Sequence, residues 1–300
     1  MRRMSLGWVG IGLGCAGAWG QSRPAERRWE PVGRFDSPEV QESSGVVKSR
    51  RYAGVFWTHG DSGNPAAIFA FRENGQVLAR IDVEGALNID WEDIAADEDG
   101  YLYLGDIGNN FAVLTQRYIY KVREPDPFAK PPQPIKPESI YVYTFEGRPF
   151  DAEALLLIRG ELYIISKPEH GSASLYRLEA PDAKRPHQLV PRAVAKLPLG
   201  RVTGGDVAPD GKLLAVCTCD TLEVYRLPES GPPVFNDDAL LGRVRFPCGS
   251  VEACCFDSDP GHASRHAGAR VPDDDIILTA ESDEIYRVHA ADLKERVNFR

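Results

Sequence analysis

Short apolar runs separated by turns recur along the chain from about residue 42 to residue 288. Residues 88–110 show the unit, in which an apolar run beginning near Glu92 and Asp93 is followed by a turn at 97–100, a second run at 101–104 and a polar end. Aromatic and aliphatic runs of this kind are typical of β-strands. No segment after residue 21 has the period of an amphipathic helix. The pattern therefore predicts an all-β chain.

The unit occurs five times, with up to four strand candidates in each copy. Aligned near the start of the first strand, the copies fall at Ser44, Glu92, Glu153, Gly205 and Glu252, which are 48, 61, 52 and 47 residues apart by subtraction of successive numbers. This period is typical of β-propeller blades. We predict one five-bladed β-propeller of four-stranded blades over residues 21–300. Six blades are the alternative, although a sixth repeat is not found.

The fifth copy lacks a fourth strand before the chain ends. Residues 29–35 form a spare strand candidate that precedes the first copy. If this segment completes the last blade, the two ends of the chain join and an open sheet edge disappears. We expect this closure.

Residues 1–20 have the pattern of an export signal. Arg2 and Arg3 precede the apolar residues 6–18, and residues 18–20 offer a small-x-small cleavage site. The apolar segment is too short for a transmembrane span. Lipidation at Cys15 is the alternative. We predict an exported monomer, periplasmic or extracellular, with no transmembrane span.

The net charge of −9 and the absence of a basic stripe argue against a nucleic-acid partner and favour a site for cations. Export would permit disulfides. The cysteines that follow the signal are odd in number, and the sequence leaves their pairing open. They are Cys217, Cys219, Cys248, Cys254 and Cys255.

In a propeller the first strand of each blade lines the central channel, so the aligned positions should face one axis. Glu92, Glu153 and Glu252 would then converge and raise one another's pKa values. Together with Ser44 they form an oxygen-rich set that suits Ca²⁺ better than Mg²⁺ or Zn²⁺. The alternative is that these glutamates only accept hydrogen bonds from backbone amides. The predicted metal ligands are Ser44, Glu92, Glu153 and Glu252.

The second strands should end on one face of the disc and surround the channel mouth, which is the default ligand site of such a fold. A calcium-bound water flanked by His59 or Asp61 could act as a nucleophile. The alternative is that the Asp and Asn residues only stabilise turns. The catalytic candidates are His59, Asp61, Asp106 and Lys167, and the ligand candidates are Asn109, Asn110 and Glu281.

The ring order resembles that of the calcium-activated nucleotidase (apyrase) family, which are five-bladed propellers with a central calcium ion and a ring of Ser, Glu, Glu, Ser, Glu. Four of the five positions match. Gly205 departs from the pattern, so its place would fall to a backbone carbonyl, a water or Thr203. Ser62, Lys167 and Pro168 stand where that family has phosphate-binding arginines. The resemblance therefore implies the fold and the metal rather than phosphate hydrolysis.

The chain is also similar to uncharacterised bacterial exported propellers that carry the motifs HNDSG, DWEDIA, GDIGDN and VEA. Here these motifs read HGDSG, DWEDIA, GDIGNN and VEA, within residues 42–288. This second resemblance implies no assigned activity.

Two functions remain open. The first is a binding or scaffold propeller with structural calcium, whose rim holds a small molecule or a protein at the channel mouth. The alternative is a calcium-dependent phosphoester or ester hydrolase of nucleotidase, phytase or lactonase type. Because a fold does not fix a function, the rim chemistry has to decide between them.

Overall fold

The structure is a computed structural model that describes residues 28–168, 170–246, 250–259 and 274–293. The predicted export signal at 1–20, Cys15 and Cys248 lie outside the described residues. Within those ranges the chain is all-β, as predicted, with one 3₁₀ turn at Ala290–Leu293. The same ranges contain no helix of the length and apolarity that crossing a membrane requires.

The strands fall into five groups of four that follow the chain. The first group is β2 (Ser43–Lys48), β3 (Phe56–Gly60), β4 (Ala67–Phe71) and β5 (Val77–Asp82). The second is β6 (Trp91–Ala96), β7 (Tyr101–Asp106), β8 (Gln116–Arg123) and β9 (Pro137–Thr144). The third is β10 (Ala152–Ile158), β11 (Glu161–Ser166), β12 (Ser174–Glu179) and β13 (Gln188–Lys196).

The fourth group is β14 (Val202–Val207), β15 (Leu213–Thr218), β16 (Thr221–Arg226) and β17 (Leu240–Arg245). The fifth is β18 (Val251–Phe256), β19 (Ile276–Ala280), β20 (Glu284–Val288) and the N-terminal strand β1 (Glu30–Arg34). Neighbouring strands within every group pair antiparallel. A short parallel pairing of β13 with β9, at Gln188 with Val142 and Leu189 with Tyr143, joins the second and third groups into one eight-stranded sheet.

The first strands of the groups form the centre of the molecule. Each of β2, β6, β10, β14 and β18 packs against the next in this order, and β18 packs against β2. These strands are therefore buried on both faces. In β2, Val46 belongs to an apolar cluster shared with the fifth group, whereas Val47 belongs to a cluster shared with the second. Such double burial explains why the first strands read as continuous apolar or small runs rather than as alternating patterns.

The core consists of apolar clusters that lie between neighbouring groups. Trp57 of the first group and Trp91 of the second share one cluster, and Leu156 and Val216 share the cluster between the third and fourth groups. The outer strand β9 alternates between exposed and partly buried residues. Because each cluster needs two groups to enclose it, the groups stabilise one another in a ring rather than singly.

The closure expected of residues 29–35 is confirmed by the pairing of β1 with β20. Glu30 stands opposite Arg287, and Arg34 stands opposite Glu284. The ring of Trp29 packs on Phe246, which follows β17 in the fourth group, at a centroid distance of 6.0 Å. It also packs edge-on against Tyr286 of β20 at 5.2 Å. The last sheet is thus completed by residues from the opposite end of the chain, which removes a free edge.

Candidate metal centre

A β-bulge interrupts the first strand of every group at the same place. The register with the second strand skips one residue between Ser43 and Gly45, and likewise in the other four groups. The five bulged residues are Ser44, Glu92, Glu153, Thr203 and Glu252. Because a bulge leaves its extra residue out of the ladder and re-aims its side chain, these five positions are structurally equivalent.

The equivalence corrects the sequence alignment of the fourth copy, in which Gly205 was matched to the ring. Gly205 is regularly paired with Val216, and a Cβ added to it would lie 3.0 Å from the Ala215 carbonyl oxygen. Gly205 therefore belongs to the packed interior. Thr203 holds the bulge position, so the ring reads Ser, Glu, Glu, Thr, Glu.

A cavity of about 150 Å³ opens at the end of the molecule where the first strands begin and the second strands end. Eight of the eleven site residues predicted from sequence line it. The lining residues are Glu42, Ser44, Asp61, Glu92, Asn110, Glu153, Lys167, Glu252 and Glu281. The structure thus brings together residues that lie more than 200 positions apart in the chain.

Hydroxyl and ammonium groups bind the buried carboxylates of this ring. The Ser44 Oγ lies 3.2 Å from Glu92 Oε2 and 3.0 Å from the Glu92 carbonyl oxygen, to both of which it donates. The Lys167 Nζ lies 2.8 Å from Glu153 Oε1. The Thr203 hydroxyl instead donates to the Val251 carbonyl oxygen at 3.0 Å.

Three acidic residues of the site were missed in the sequence analysis: Glu42, which lines the cavity, and the aspartates Asp90 and Asp151. Asp90 completes a cluster with Asp61 and Glu92, and Asp151 completes another with Glu92 and Glu153. Within each cluster one ligand atom from every residue lies within 4.8 Å of the others, so each cluster could hold a metal ion. Both missed aspartates precede a ring glutamate by two positions. The repeated Asp-x-Glu pattern was the signal, because residues two apart lie on one side of an extended chain.

Burial and mutual repulsion shift the titration of these groups. Burial raises the pKa of Glu92 well above its usual range, and Glu153 and Asp61 raise it further. Burial also raises the pKa of Glu153 to about 8, against the opposing effect of Lys167, and that of Glu252 to about 7. The ring is therefore costly to ionise without additional positive charge.

The donors fit a hard cation. All are oxygens of carboxylates, an amide and a hydroxyl, which Ca²⁺ and Mg²⁺ prefer, whereas Zn²⁺ sites use histidine or thiolate. Gly108 leaves room for two of the carboxylates. A Cβ there would lie 2.2 Å from Glu92 Oε1 and 2.5 Å from Asp90 Oδ2. The carboxylates of Glu92 and Asp90 therefore lie directly against the backbone of Gly108.

His59 does not reach the cavity, which corrects its prediction as a catalytic residue. Its side chain is fully buried in β3, its Nδ1 lies 3.1 Å from the Gly60 carbonyl oxygen, and its ring packs edge-on against Trp91. Burial lowers the pKa of His59 to about 4. A neutral imidazole enclosed between two sheets cannot act on a bound ligand.

Asp106 is likewise a structural residue rather than a group at the mouth. The side chains of Asp106 and Arg117 are both almost completely buried, with Arg117 Nη2 2.6 Å from Asp106 Oδ1. The same oxygen accepts the backbone N–H of Asp90 at 2.8 Å. Asp106 therefore fixes the backbone that carries the Asp90 carboxylate.

Asn109 is buried and organises the loop that follows β7. Its Oδ1 accepts the backbone N–H groups of Val113 and Leu114, both at 3.1 Å, and its own N–H donates to Asp151 Oδ1 at 2.7 Å. The turn-stabilising alternative therefore applies to Asn109. Its neighbour Asn110 lines the cavity, as expected.

Two further carboxylates tie the first strands together. Asp93 Oδ2 accepts the backbone N–H of Leu155 in β10 at 2.9 Å, and Asp206 Oδ2 accepts that of Phe256 in β18 at 2.9 Å. Asp93 and Asp206 therefore each link the first strands of two neighbouring groups. The cysteines within the described residues, Cys217, Cys219, Cys254 and Cys255, are free thiols.

No protein-family model matches the chain, and no curated protein matches it. Among solved structures, a gluconolactonase from Xanthomonas campestris is similar, with 14% sequence identity and a TM-score of 0.46. The alignment covers 86% of this chain and 88% of that protein. A likeness of this degree does not bear on what this chain binds or catalyses.

Proposed function

We propose that the protein is an exported five-bladed β-propeller that binds calcium at its carboxylate ring and holds a ligand at the polar rim around it. The excess of carboxylates carries the proposal. The two acidic clusters share Glu92, and Lys167 is the one basic residue among the described residues that line the cavity. A divalent cation would offset the repulsion between these carboxylates. Without a cation, the buried carboxylates reduce the repulsion by staying protonated.

Five blades are supported by the cyclic packing of the first strands. Each inner strand contacts two inner neighbours, and β18 returns to β2 after five groups. The bulge recurs in each inner strand, and four of the five bulged residues, Ser44, Glu92, Glu153 and Glu252, line one cavity. Such convergence is what the first strands of propeller blades provide.

Calcium fits this donor set better than magnesium does. Ca²⁺ accepts about six to eight oxygens in loose geometry, whereas Mg²⁺ requires a near-ideal octahedron. Glu92, Asp151 and Glu153 offer carboxylate oxygens, and Ser44 is already bonded to Glu92. When bound, the ion would supply positive charge and an open coordination position to an oxygen of the ligand.

The experiment is a melting series of the mature protein with calcium and with chelator. Calcium at about a hundred times its Kd should stabilise the wild type by about 2.7 kcal/mol, or about 5 to 10 °C in Tm for a domain of this size. Glu92→Gln should lose most of this shift, because the amide keeps the shape and removes the charge. In chelator Glu92→Gln should melt higher than the wild type.

Glu229→Gln is the matched control, since Glu229 is exposed in the loop that joins β16 and β17. It should respond to calcium as the wild type does. An equal calcium shift in Glu92→Gln, or no shift in the wild type, would disprove the calcium site.

A second candidate function is the calcium-dependent hydrolysis of a phosphoester or an ester. It is favoured by Asp61 and Lys167, which share the cavity with the ring and could orient a water and a substrate oxygen. With His59 buried, Asp61 is the remaining base candidate. Turnover of nucleotide, phytate, lactone or aryl-ester substrates that Asp61→Asn abolishes would establish this function, and flat rates across the panel would favour binding.

A further inference from the structure

Most exposed large apolar side chains of the described residues lie at the end of the molecule where the cavity opens. Five of eight belong to two loops there, residues 83–90, which join β5 to β6, and residues 107–115, which join β7 to β8. We name these five the apolar ridge. They are Leu87, Ile89, Phe111, Val113 and Leu114. Phe111 is the most exposed, at 87%. A single exposed apolar residue needs no explanation, whereas a group of this kind marks a contact surface.

The ridge is held in place rather than left as a loose loop. The buried Asn109 binds the backbone N–H groups of Val113 and Leu114 and donates from its Nδ2 to the Leu114 carbonyl oxygen at 2.9 Å. Ala112 adopts a positive φ of 51°, which L-residues rarely do. The hydrogen bonds thus hold a strained turn that presents Phe111 and Val113 to solvent.

The two loops of the ridge meet at the acidic cluster. The Gly108 backbone N–H donates to the Asp90 carbonyl oxygen at 3.1 Å, and Asn110 Nδ2 approaches Asp90 Oδ2 at 3.5 Å. The Trp91 indole donates to the Leu87 carbonyl oxygen at 2.8 Å. Asn110 lines the cavity and is followed directly by Phe111. The two loops that carry the ridge therefore also carry Asp90 and Asn110 of the proposed calcium site.

The size of the cavity limits what it can enclose. Sites for drug-sized ligands have about 300 to 1,000 Å³, and this cavity has about 150 Å³. It has space for an ion and a small polar head only. The rest of any larger ligand must lie outside the cavity, and the apolar ridge lies at the same end of the molecule, in the loop that carries Asn110 and in the loop that carries Asp90.

We propose that the ligand is an amphiphile, with an oxygen-bearing anionic head on the calcium ion and an acyl or similar apolar chain along the ridge. This inference rests on the proposed calcium site, since the carboxylates would repel such a head without the ion. The positive charge of the proposed ion favours an anionic head. Because Phe111 directly follows the cavity residue Asn110, an apolar tail attached to that head can reach the ridge. The ligand class is thus the soluble carboxylate with an aliphatic tail.

The test uses butanoate, hexanoate and octanoate as probes, titrated into the mature protein by calorimetry at a calcium concentration that does not precipitate octanoate. Kd should fall about twofold for each added methylene, because a methylene on an open surface loses about half of its hydration. Octanoate should therefore bind about tenfold or more tightly than butanoate. Chelator should abolish the binding of all three.

The double variant Phe111→Ser/Val113→Ser should bind butanoate as the wild type does and lose the dependence on chain length. Both side chains are exposed, so the fold is not at stake. Val234→Ser is the control, since Val234 is 51% exposed in the loop between β16 and β17, at the other end of the strands. It should keep the dependence on chain length.

A normal calcium shift in Tm combined with equal affinity for all three probes would overturn the inference and leave the calcium site intact. So would an unchanged chain-length dependence in the double variant, or calcium-dependent binding to anionic vesicles without any binding of the soluble probes. A missing calcium shift would overturn the proposed function and this inference together.

Discussion

The buried carboxylates of this chain differ in what faces them. Asp106 meets a buried guanidinium, and Asp93 and Asp206 meet backbone amides of neighbouring strands. Glu92 and Glu153 face the cavity and other carboxylates instead. Burial raises the pKa of all of them. A raised pKa alone therefore does not distinguish a structural acid from a ligand, whereas access to the cavity does.

The ion pair of Asp106 with Arg117 should be essential for stability. Asp106→Asn leaves the guanidinium of Arg117 uncompensated in a site where its side chain is 1% exposed, which typically costs about 3 to 5 kcal/mol. Urea unfolding measures the loss. Asp82→Asn is the control, since Asp82 pairs with Arg80 on the surface and should cost less than about 1 kcal/mol. Equal losses in the two variants would contradict a structural role for Asp106.

At the scale of the strand, the β-bulge decides which residue reaches the cavity. Without it, Ser44 would take a place in the ladder between Ser43 and Gly45 and would alternate with them. With it, the bulged residue lies outside the ladder while the apolar residues after it keep their places between two sheets. In each inner strand the bulged residue is thus not constrained by the packing of the apolar residues that follow it.

The sequence predicted the strands well because apolar runs and turns are local signals. It also predicted eight residues of the cavity, since the repeat placed them at equivalent strand ends. It misplaced the fourth ring position, because the bulge changes the register without changing the local composition and the Gly204-Gly205 pair hid the equivalence of Thr203. His59 was misjudged because burial depends on the facing sheet, which residues around it do not reveal.

The loop after β7 makes a separate prediction possible at Gly108. Gly108→Ala would force a methyl group against the carboxylates of Glu92 and Asp90 and should reduce the calcium-induced rise in Tm by at least half. Gly147→Ala is the matched control, since no atom lies within 4 Å of a Cβ added there. Isothermal calorimetry with calcium measures the loss directly. A calcium affinity of Gly108→Ala equal to that of the control would show that the close approach is unimportant.

At the scale of the molecule, the closed ring of inner strands brings acidic side chains together at one end. The inner strands pack in a circle, β1 completes the last sheet, and acidic residues from four of the five groups converge at one end. The net charge of −9 adds to the local repulsion. Because both effects oppose compaction, the stability of the whole ring should respond to pH and to cations in a linked way.

Without calcium, stability should fall as pH rises from about 4.5 to about 8. Burial raises the pKa of Glu153 to about 8 and that of Glu252 to about 7, so in this window the folded chain keeps protons that the unfolded chain has released. Calcium favours the ionised carboxylates and should flatten the fall, so its effect on Tm should grow with pH. His289, whose pKa is raised by its hydrogen bond to Asp275, contributes a fall in the same direction. Thermal unfolding of the double variant Glu153→Gln/Glu252→Gln in chelator measures the contribution of the ring. The double variant should lose less stability than the wild type between pH 5 and 8. If stability falls equally with pH in both proteins, the ring is not the cause.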